Sequence, residues 1–416
     1  MPRPVRSSVI KIRCLKVRHP ALPRAEAKVP RSREPPAARA RQAEGPAWLG
    51  PLPLATGRAP NVLLDMTYAT STDSSAGNAD APLAPGGLNG EPGTPEEVAR
   101  FAVAAAVWAP SLHNTQPWRF RSEPGEISLA ADPDRRLGVA DPDGREMMIS
   151  CGAALFTARV ALRFLGYVPQ VSILPDPDRP LLVARISWQQ HVPAAEYERE
   201  MYGQIAVRRT HRSGFDPAPL PAAVLAGLRQ DAIRQDAMLR VLADDDRRAS
   251  LAAIVEAAET LLRLDGARAL ELARWSPAPG SERRDGVPPT SYPARPEHTE
   301  PQFPGRDFAH GRGWGLSPAG PVPLLRSAGV VSILTTSGDQ RADWVNAGQA
   351  LQRVLLSASA CGVAAALHSQ PLELPQLREL IGRRLCDRAF PQMVLRLGTT
   401  GQAAASVRRP VNDVLL

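Results

Sequence analysis

Residues Ala109–Phe120 read APSLHNTQPWRF and place four hydrogen-bonding side chains, Ser111, His113, Asn114 and Gln116, within six positions after the helix-stopping Pro110. Two readings fit these residues on their own. In one, Ser111 and Asn114 satisfy turn backbone and Trp118 fills a strand core. In the other, the polar groups face a ligand. His113 alone reads as a hydrogen-bonded structural histidine, without an acid–base role.

Working upstream, a helix is predicted from Thr94, which offers an N-cap, a proline at the first helical position, and Glu96 and Glu97 in the first turn. Downstream, QPWRF and EISLA flank the turn SEPGE as short strands. REMMISCGAALFTARVALRFLG, apolar on a broad face and closed by Gly166, predicts a long helix, and VPQVSIL and LLVARISW predict two more strands. A helix near Ala194 to Val207 leads into RRTHRSGFD, where a second set of elements begins. AAVLAGLRQDAI, RASLAAIVEAAETLLRL and ARALELARW read as helices and AMLRVLA as a strand. Between Ser276 and Ala319 the pattern dissolves into a Pro/Gly-rich insertion, of the kind that forms a lid or a disordered excursion. Regular structure returns with the strand VVSILTT, the helix DQRADWVNAGQALQRVLLSASACG, the short helix PQLRELIG and the strand PQMVLRLG. Alternating helices and strands without all-β spacing give an α/β or α+β class.

The 416 residues, 44% hydrophobic and 22% charged, exclude a wholly disordered, collagen-like or coiled-coil chain. The net charge of +8 suggests a nucleic-acid partner until it is located. Residues 1–65 hold 13 Lys and Arg against 4 Asp and Glu, a local +9, so the remainder carries −1. The basic character therefore belongs to a Pro-, Arg- and Ala-rich leader, expected to be disordered over 1–93. Its prolines break any long presequence-like helix, and Met66 is a candidate alternative start. A nucleic-acid interactor working through this leader is the third functional reading, behind the two given below. Cys14, Cys151, Cys361 and Cys386 show no metal-ligand spacing, and three of them lie in apolar surroundings as reduced, buried hydrophobes would. With no secretory segment and no uninterrupted apolar span, a cytoplasmic protein without membrane or nucleic-acid partner is expected.

GxGxxG, Walker A, HExxH, GxSxG and EF-hand patterns are absent, which argues against the common dehydrogenases, P-loop enzymes, zincins and serine hydrolases. RRTHR reads either as a solvated basic loop or as an anion cradle, with Arg208 and Arg212 at i, i+4 and the Thr210 hydroxyl between them. Asp141, Asp143 and Glu146 of DPDGRE read as a turn and helix N-terminus rather than a catalytic pair.

APSLHNTQPWRF resembles the APSxxNxQPW segment of the FMN-dependent nitroreductase family, and its His-Asn-Thr form with DPDGRE and ISCGAAL resembles the Acg-type branch. RRTHRSGF is similar to the RxSxRxF that holds the FMN phosphate there, and AGQALQRVLLSASACGVAAAL, PQMVLRLG and RRPVNDVL resemble the family's C-terminal half. The resemblance runs from about Thr94 to the end and leaves the leader and the 276–319 insertion unmatched. It implies an α+β nitroreductase-like fold. The first half (94–206) keeps one flavin motif and the second (207–416) the other, as in an internal pseudo-dimer assembling one FMN site in a monomeric chain. It also implies that Ser111, His113, Asn114, Gln116, Arg208, Thr210, Arg212, Ser369 and Arg408 bind the cofactor, with Ser369 and Gln370 near the reactive flavin nitrogen and His368 only a loop residue. The implied activity is hydride transfer from NAD(P)H through FMN to small nitroaromatic or quinone-like acceptors. The alternative is a protein that stores or sequesters FMN with little turnover, because the insertion at 276–319 is a candidate lid over the site.

Overall fold

Thr94 caps the first helix as its sequence predicts: its Oγ1 accepts from the Glu97 backbone N–H at 3.2 Å, and the Glu97 carboxylate accepts from the Thr94 N–H at 3.1 Å. The computed structural model describes residues 93–295, 297–317, 326–401 and 405–416. The leader, its surplus charge, Met66 and Cys14 lie outside the described residues. After α1 (Pro95–Ala106) come β1 (Trp118–Glu123), β2 (Glu126–Ala131), α2 (Arg145–Phe164), β3 (Tyr167–Ile173), β4 (Leu182–His191) and α3 (Glu196–Gly203). The chain continues through β5 (Thr210–His211), α4 (Ala222–Ile233), β6 (Met238–Val241), α5 (Asp245–Leu264) and α6 (Gly266–Arg274). It closes with β7 (Thr299–Glu300), β8 (Arg326–Ser327), β9 (Val330–Thr336), α7 (Arg341–Ala360), β10 (Ala364–His368), α8 (Pro375–Leu385) and β11 (Phe390–Gly398). The class is α+β.

The strands form two main sheets with the same internal plan. One has the order β1-β2-β4-β3, and the other β5-β10-β11-β9-β6. Matching β1 to β6, β2 to β9, β4 to β11 and β3 to β10 superimposes the two orders, and every corresponding neighbour pair is antiparallel. The helices follow suit. α1 and α4 each have 12 residues, and α2 and α7 each have 20, displaced by 196 positions along the chain (Arg145 to Arg341). Both long helices are followed by a left-handed glycine, Gly166 (φ 88°) and Gly362 (φ 68°). The second half departs from the plan mainly between β6 and β9. There it carries α5, α6 and the insertion, where the first half has only the turn at Pro124 and Gly125.

α2 is long and apolar enough to cross a bilayer, but it is buried against α1 and α7, which makes it a core helix. Around it Trp118, Phe120, Ile127 and Leu155 are at most 1% exposed, each worth about 1.5–3 kcal/mol of burial. The chain's last residues return to this first sheet. The Phe120 N–H donates to Val414 O at 2.6 Å, and the Leu416 N–H donates to Phe120 O at 2.8 Å, covering the free edge of β1.

Three local expectations change. The alanine-rich AAALH forms β10, which the sequence did not mark as a strand, because its pattern is too uniform to show an alternation. Cys361 is exposed at the end of α7, whereas Cys151 and Cys386 are buried as expected. The insertion is not wholly irregular. β7 pairs with β8, Pro293 bridges to Leu316, and Tyr292, Phe308, Ala309 and Val287 form a small core of their own.

Candidate functional site

The polar loop after α1 is held in an uncommon backbone shape. His113, Asn114 and Gln116 all have positive φ, between 50° and 54°, a conformation that costs about 1–3 kcal/mol per residue and persists only where the surroundings fix it. Ser111 Oγ accepts the Gln116 N–H at 2.9 Å, and Ser111 O accepts the Asn114 N–H at 3.0 Å. The Asn114 amide donates to Gly286 O of the insertion at 2.8 Å and to Val407 O of the tail at 3.1 Å, while its Oδ1 accepts from Arg408 Nη1 at 3.1 Å. One side chain thus ties three distant segments together.

Arg208 and Arg408 converge on the same carbonyl. Their Nη2 atoms donate to Trp108 O at 3.2 and 3.1 Å, just where α1 ends. Both are 5% exposed, and neither meets a carboxylate among the described residues. Arg208 Nε and Nη1 and Arg408 Nε have no partner among the described residues. Burial, with Arg209 and Arg212 adding repulsion, pushes the Arg208 guanidinium down to about 9, and the same causes together with Arg208 hold Arg408 well below its ordinary value. Burial also lowers Arg212 to about 10. These cations surround a chamber of about 30 Å³, lined also by Ser111, Asn114, Thr210, Ser291 and Ser406. Buried cations that meet no carboxylate among the described residues, with donors left over, suit an anion.

This chamber shares Pro110, Ser111, Thr210 and Arg212 with a cavity of about 400 Å³, a size suited to a cofactor-sized ligand. The cavity's walls come from both halves: Ser111, His113, Glu146, Ile149 and Ser150 from the first, and Arg212, Leu351, His368, Ser369, Met393 and Arg396 from the second. The insertion contributes Tyr292, Phe303, Arg306 and Phe308. Arg306 Nη2 meets Glu373 Oε1 at 2.5 Å, and Ser369 Oγ donates to the same oxygen at 2.8 Å. His113 lies edge-on to Phe308 with ring centroids 5.8 Å apart, and burial, then Arg306 and Arg212, keep its imidazole well below the ordinary range.

Of the expected site residues, Ser111, His113, Asn114, Arg208, Thr210, Arg212, Ser369 and Arg408 line one or both spaces. Gln116 does not. Its amide is fully buried outside both walls, donating to Arg284 O at 2.8 Å and accepting the Arg409 N–H at 2.8 Å, so it braces the insertion against the tail. Asp141 caps α2 as expected, accepting the Glu146 and Met147 N–H groups at 3.1 and 2.9 Å. Glu146, however, is buried in the cavity wall beside Arg145. Sequence reasoning also missed Arg306, Glu373 and Arg396. For Arg396 a signal existed, since a lone arginine inside the apolar strand PQMVLRLG must be buried with partners.

The comparisons bear on this arrangement. Over 303 residues the chain is 36% identical to "Putative NAD(P)H nitroreductase Rv3131" of Mycobacterium tuberculosis H37Rv, covering 73% of this chain and 85% of that one. The chain belongs to this nitroreductase family. It is also 32% identical over 322 residues to "Putative NAD(P)H nitroreductase acg" of the same strain, covering 76% of this chain and 95% of that relative. No sequence-family profile matches it. Among solved structures, a nitroreductase with bound FMN from Desulfitobacterium hafniense aligns over 51% of this chain and 95% of its own, at 16% identity and a TM-score of 0.30. A BluB-like flavoprotein from Clostridium difficile aligns over 53% and 98%, at 11% identity and 0.33. Both structural likenesses are too weak to add weight. The relatives at 32–36% identity carry the family, and as a member of it the chain is an oxidoreductase of the nitroreductase kind.

Proposed function

We propose that this nitroreductase-family chain holds one FMN in the joined chamber and cavity, and uses it to pass electrons from NAD(P)H to small nitroaromatic or quinone-like acceptors. The observation that carries the reading is the buried, unpaired pair Arg208 and Arg408 at one end of a cofactor-sized cavity. A phosphate monoester matches that end in charge and in the number of donors it can engage. FMN bound there would supply hydride chemistry. The chain's own groups bind and orient. Arg208, Arg212, Arg408 and the Thr210 hydroxyl hold the phosphate, Ser111 and Asn114 position the segment above it, and Tyr292 and Phe308 exclude water from the larger space. The two matched halves act as fused subunits of a pseudo-dimer, so one chain suffices for one site. Acting on small molecules as a cytoplasmic monomer is part of the same reading.

A second reading, FMN storage with little turnover, is favoured by one observation. The described part of the insertion, read as a lid, reaches the cavity, and its Arg306, in the cavity wall, is fastened to the buried Glu373. Flavin stoichiometry of the purified chain, combined with NADPH oxidation in the presence of a nitroaromatic, tests both. One flavin with turnover supports the reductase, and one flavin without turnover supports storage. Two flavins, or none, overturn the single-site reading.

A further inference from the structure

His368 ends β10 and stands in the wall of the large cavity, 3% exposed. Its Nε2 lies 2.8 Å from Arg396 Nε. A guanidinium can only donate, so Nε2 carries the lone pair, and the proton of the neutral ring sits on Nδ1. Burial, then Arg396 and Arg306, keep the ring neutral by holding it well below the ordinary imidazole range. Nδ1 has no partner among the described residues.

The arginine behind the ring is equally constrained. Arg396 is 2% exposed, donates to Ala328 O at 3.2 Å and Ser213 O at 3.3 Å, and lies 5.4 Å from the ring centroids of Phe215 and Phe303. No carboxylate pairs with it among the described residues. His368, in the cavity wall, therefore holds an N–H donor that is unmet among the described residues, backed by a cation whose acidic neighbour, Glu297, forms no ion pair with it. A buried donor left unmet is unfavourable, and a ligand oxygen would satisfy it. Phe303, 5.5 Å from the His368 ring, and Met393 make the neighbouring wall apolar.

We propose that His368 Nδ1–H binds an oxygen of the electron acceptor, a carbonyl, carboxylate or nitro oxygen on a planar aromatic molecule, and that Arg396 positions it by fixing the tautomer. This rests on the cavity being the redox site proposed above. It makes His368 a specificity-determining residue, and Arg396 acts only through it.

The test uses the full chain labelled with ¹⁵N-histidine, with benzoate as the probe. The expected spectrum shows His368 neutral and protonated at Nδ1, with that resonance moving as benzoate is added. In the flavin-loaded protein, His368→Phe should weaken benzoate binding, read from the flavin absorption, by about tenfold, with flavin retention unchanged. His368→Gln, whose amide can accept from Arg396 and donate in turn, should restore most of the affinity. A proton on Nε2, or an Nδ1 resonance that benzoate leaves unmoved, overturns the proposal without need of any variant. Parallel loss of flavin in His368→Phe also overturns it, because the donor would then serve the cofactor. An unmodified chain that retains no flavin fails the proposed function instead, a result distinct from all of these.

Discussion

Gly152 of α2 and Gly348 of α7 stand against each other's helix in a reciprocal relation. A Cβ on Gly152 would lie 2.1 Å from Val345 O, and a Cβ on Gly348 would lie 2.0 Å from Ile149 O. Val345 precedes Gly348 by three positions and Ile149 precedes Gly152 by three, so the contact maps onto itself when the two helices are exchanged. The contact thus has the self-complementarity that the pseudo-dimer reading requires.

Because the opposing atoms are backbone, neither helix can yield locally. Gly152→Ala and Gly348→Ala should each cost about 3 kcal/mol, seen as a lower urea midpoint at unchanged slope. The double variant should cost less than the two together, since the first methyl already separates the helices. Full additivity would contradict a shared crossing point.

The anion site predicts opposite effects with and without ligand. In the flavin-free chain, replacing a buried cation that has no counterion relieves strain, so Arg408→Met should leave the thermal midpoint unchanged or raise it. The same variant should abolish the rise in midpoint that FMN produces in the parent. Arg208→Ala with Arg212→Ala should likewise lose flavin from the purified protein, and full occupancy in that double variant would refute the phosphate assignment.

Burial holds the Glu146 carboxyl up at about 7, against the pull of Arg145 and with Asp141 and Glu373 adding to the rise. The folded chain thus keeps a proton that the unfolded chain releases at lower pH. The stability from this group is complete below the ordinary carboxylate value and is lost as pH rises through about 7, an effect on the order of 3 kcal/mol. His113 and His368, held neutral, pull the opposite way and are unchanged in Glu146→Gln. Unfolding free energies of parent and variant, compared at about pH 5 and about pH 8, should therefore diverge in the variant's favour at the higher pH. Parallel profiles would exclude Glu146 as the titrating group.

Arg306 fastens the insertion to Glu373, whose side chain is fully enclosed. Arg306→Ala leaves that carboxylate buried and unpaired, a loss of about 3–5 kcal/mol that falls on the insertion's attachment. Limited proteolysis should then cut within 276–317 well before the rest of the chain. An unchanged cleavage pattern would mean that β7, β8 and the small core around Phe308 hold the segment without the ion pair.

The helix ends were legible because their signals are local. Thr94 with Glu97, Asp141 before α2, and Gly166 and Gly362 after the long helices act within a turn of their own positions. The matched spacing of α2 and α7 emerged only with the structure, which gives both helices equal length with CGAAL and AGQAL at the same place in each. The bracing contacts of Gln116 were not legible, because an amide among ligand-facing neighbours looks the same in sequence whether it turns inward or braces a loop. His368 was discounted for the same reason. Only the approach of Arg396, 28 positions later, fixes its proton and leaves its other nitrogen unmet.

The amino-acid sequence was enough to place most helices and the longer strands, the broad apolar face of α2, and the stock of arginines and short polar side chains after α1 and α3, because these depend on periodicity and on neighbours a few residues away. The tertiary structure alone decided which of them meet. Asn114 and Arg408, 294 positions apart, touch only because the tail runs back along β1 while α2 and α7 close on their glycines. Long-range contact is a property of packing between surfaces, and no local pattern encodes which surfaces those are.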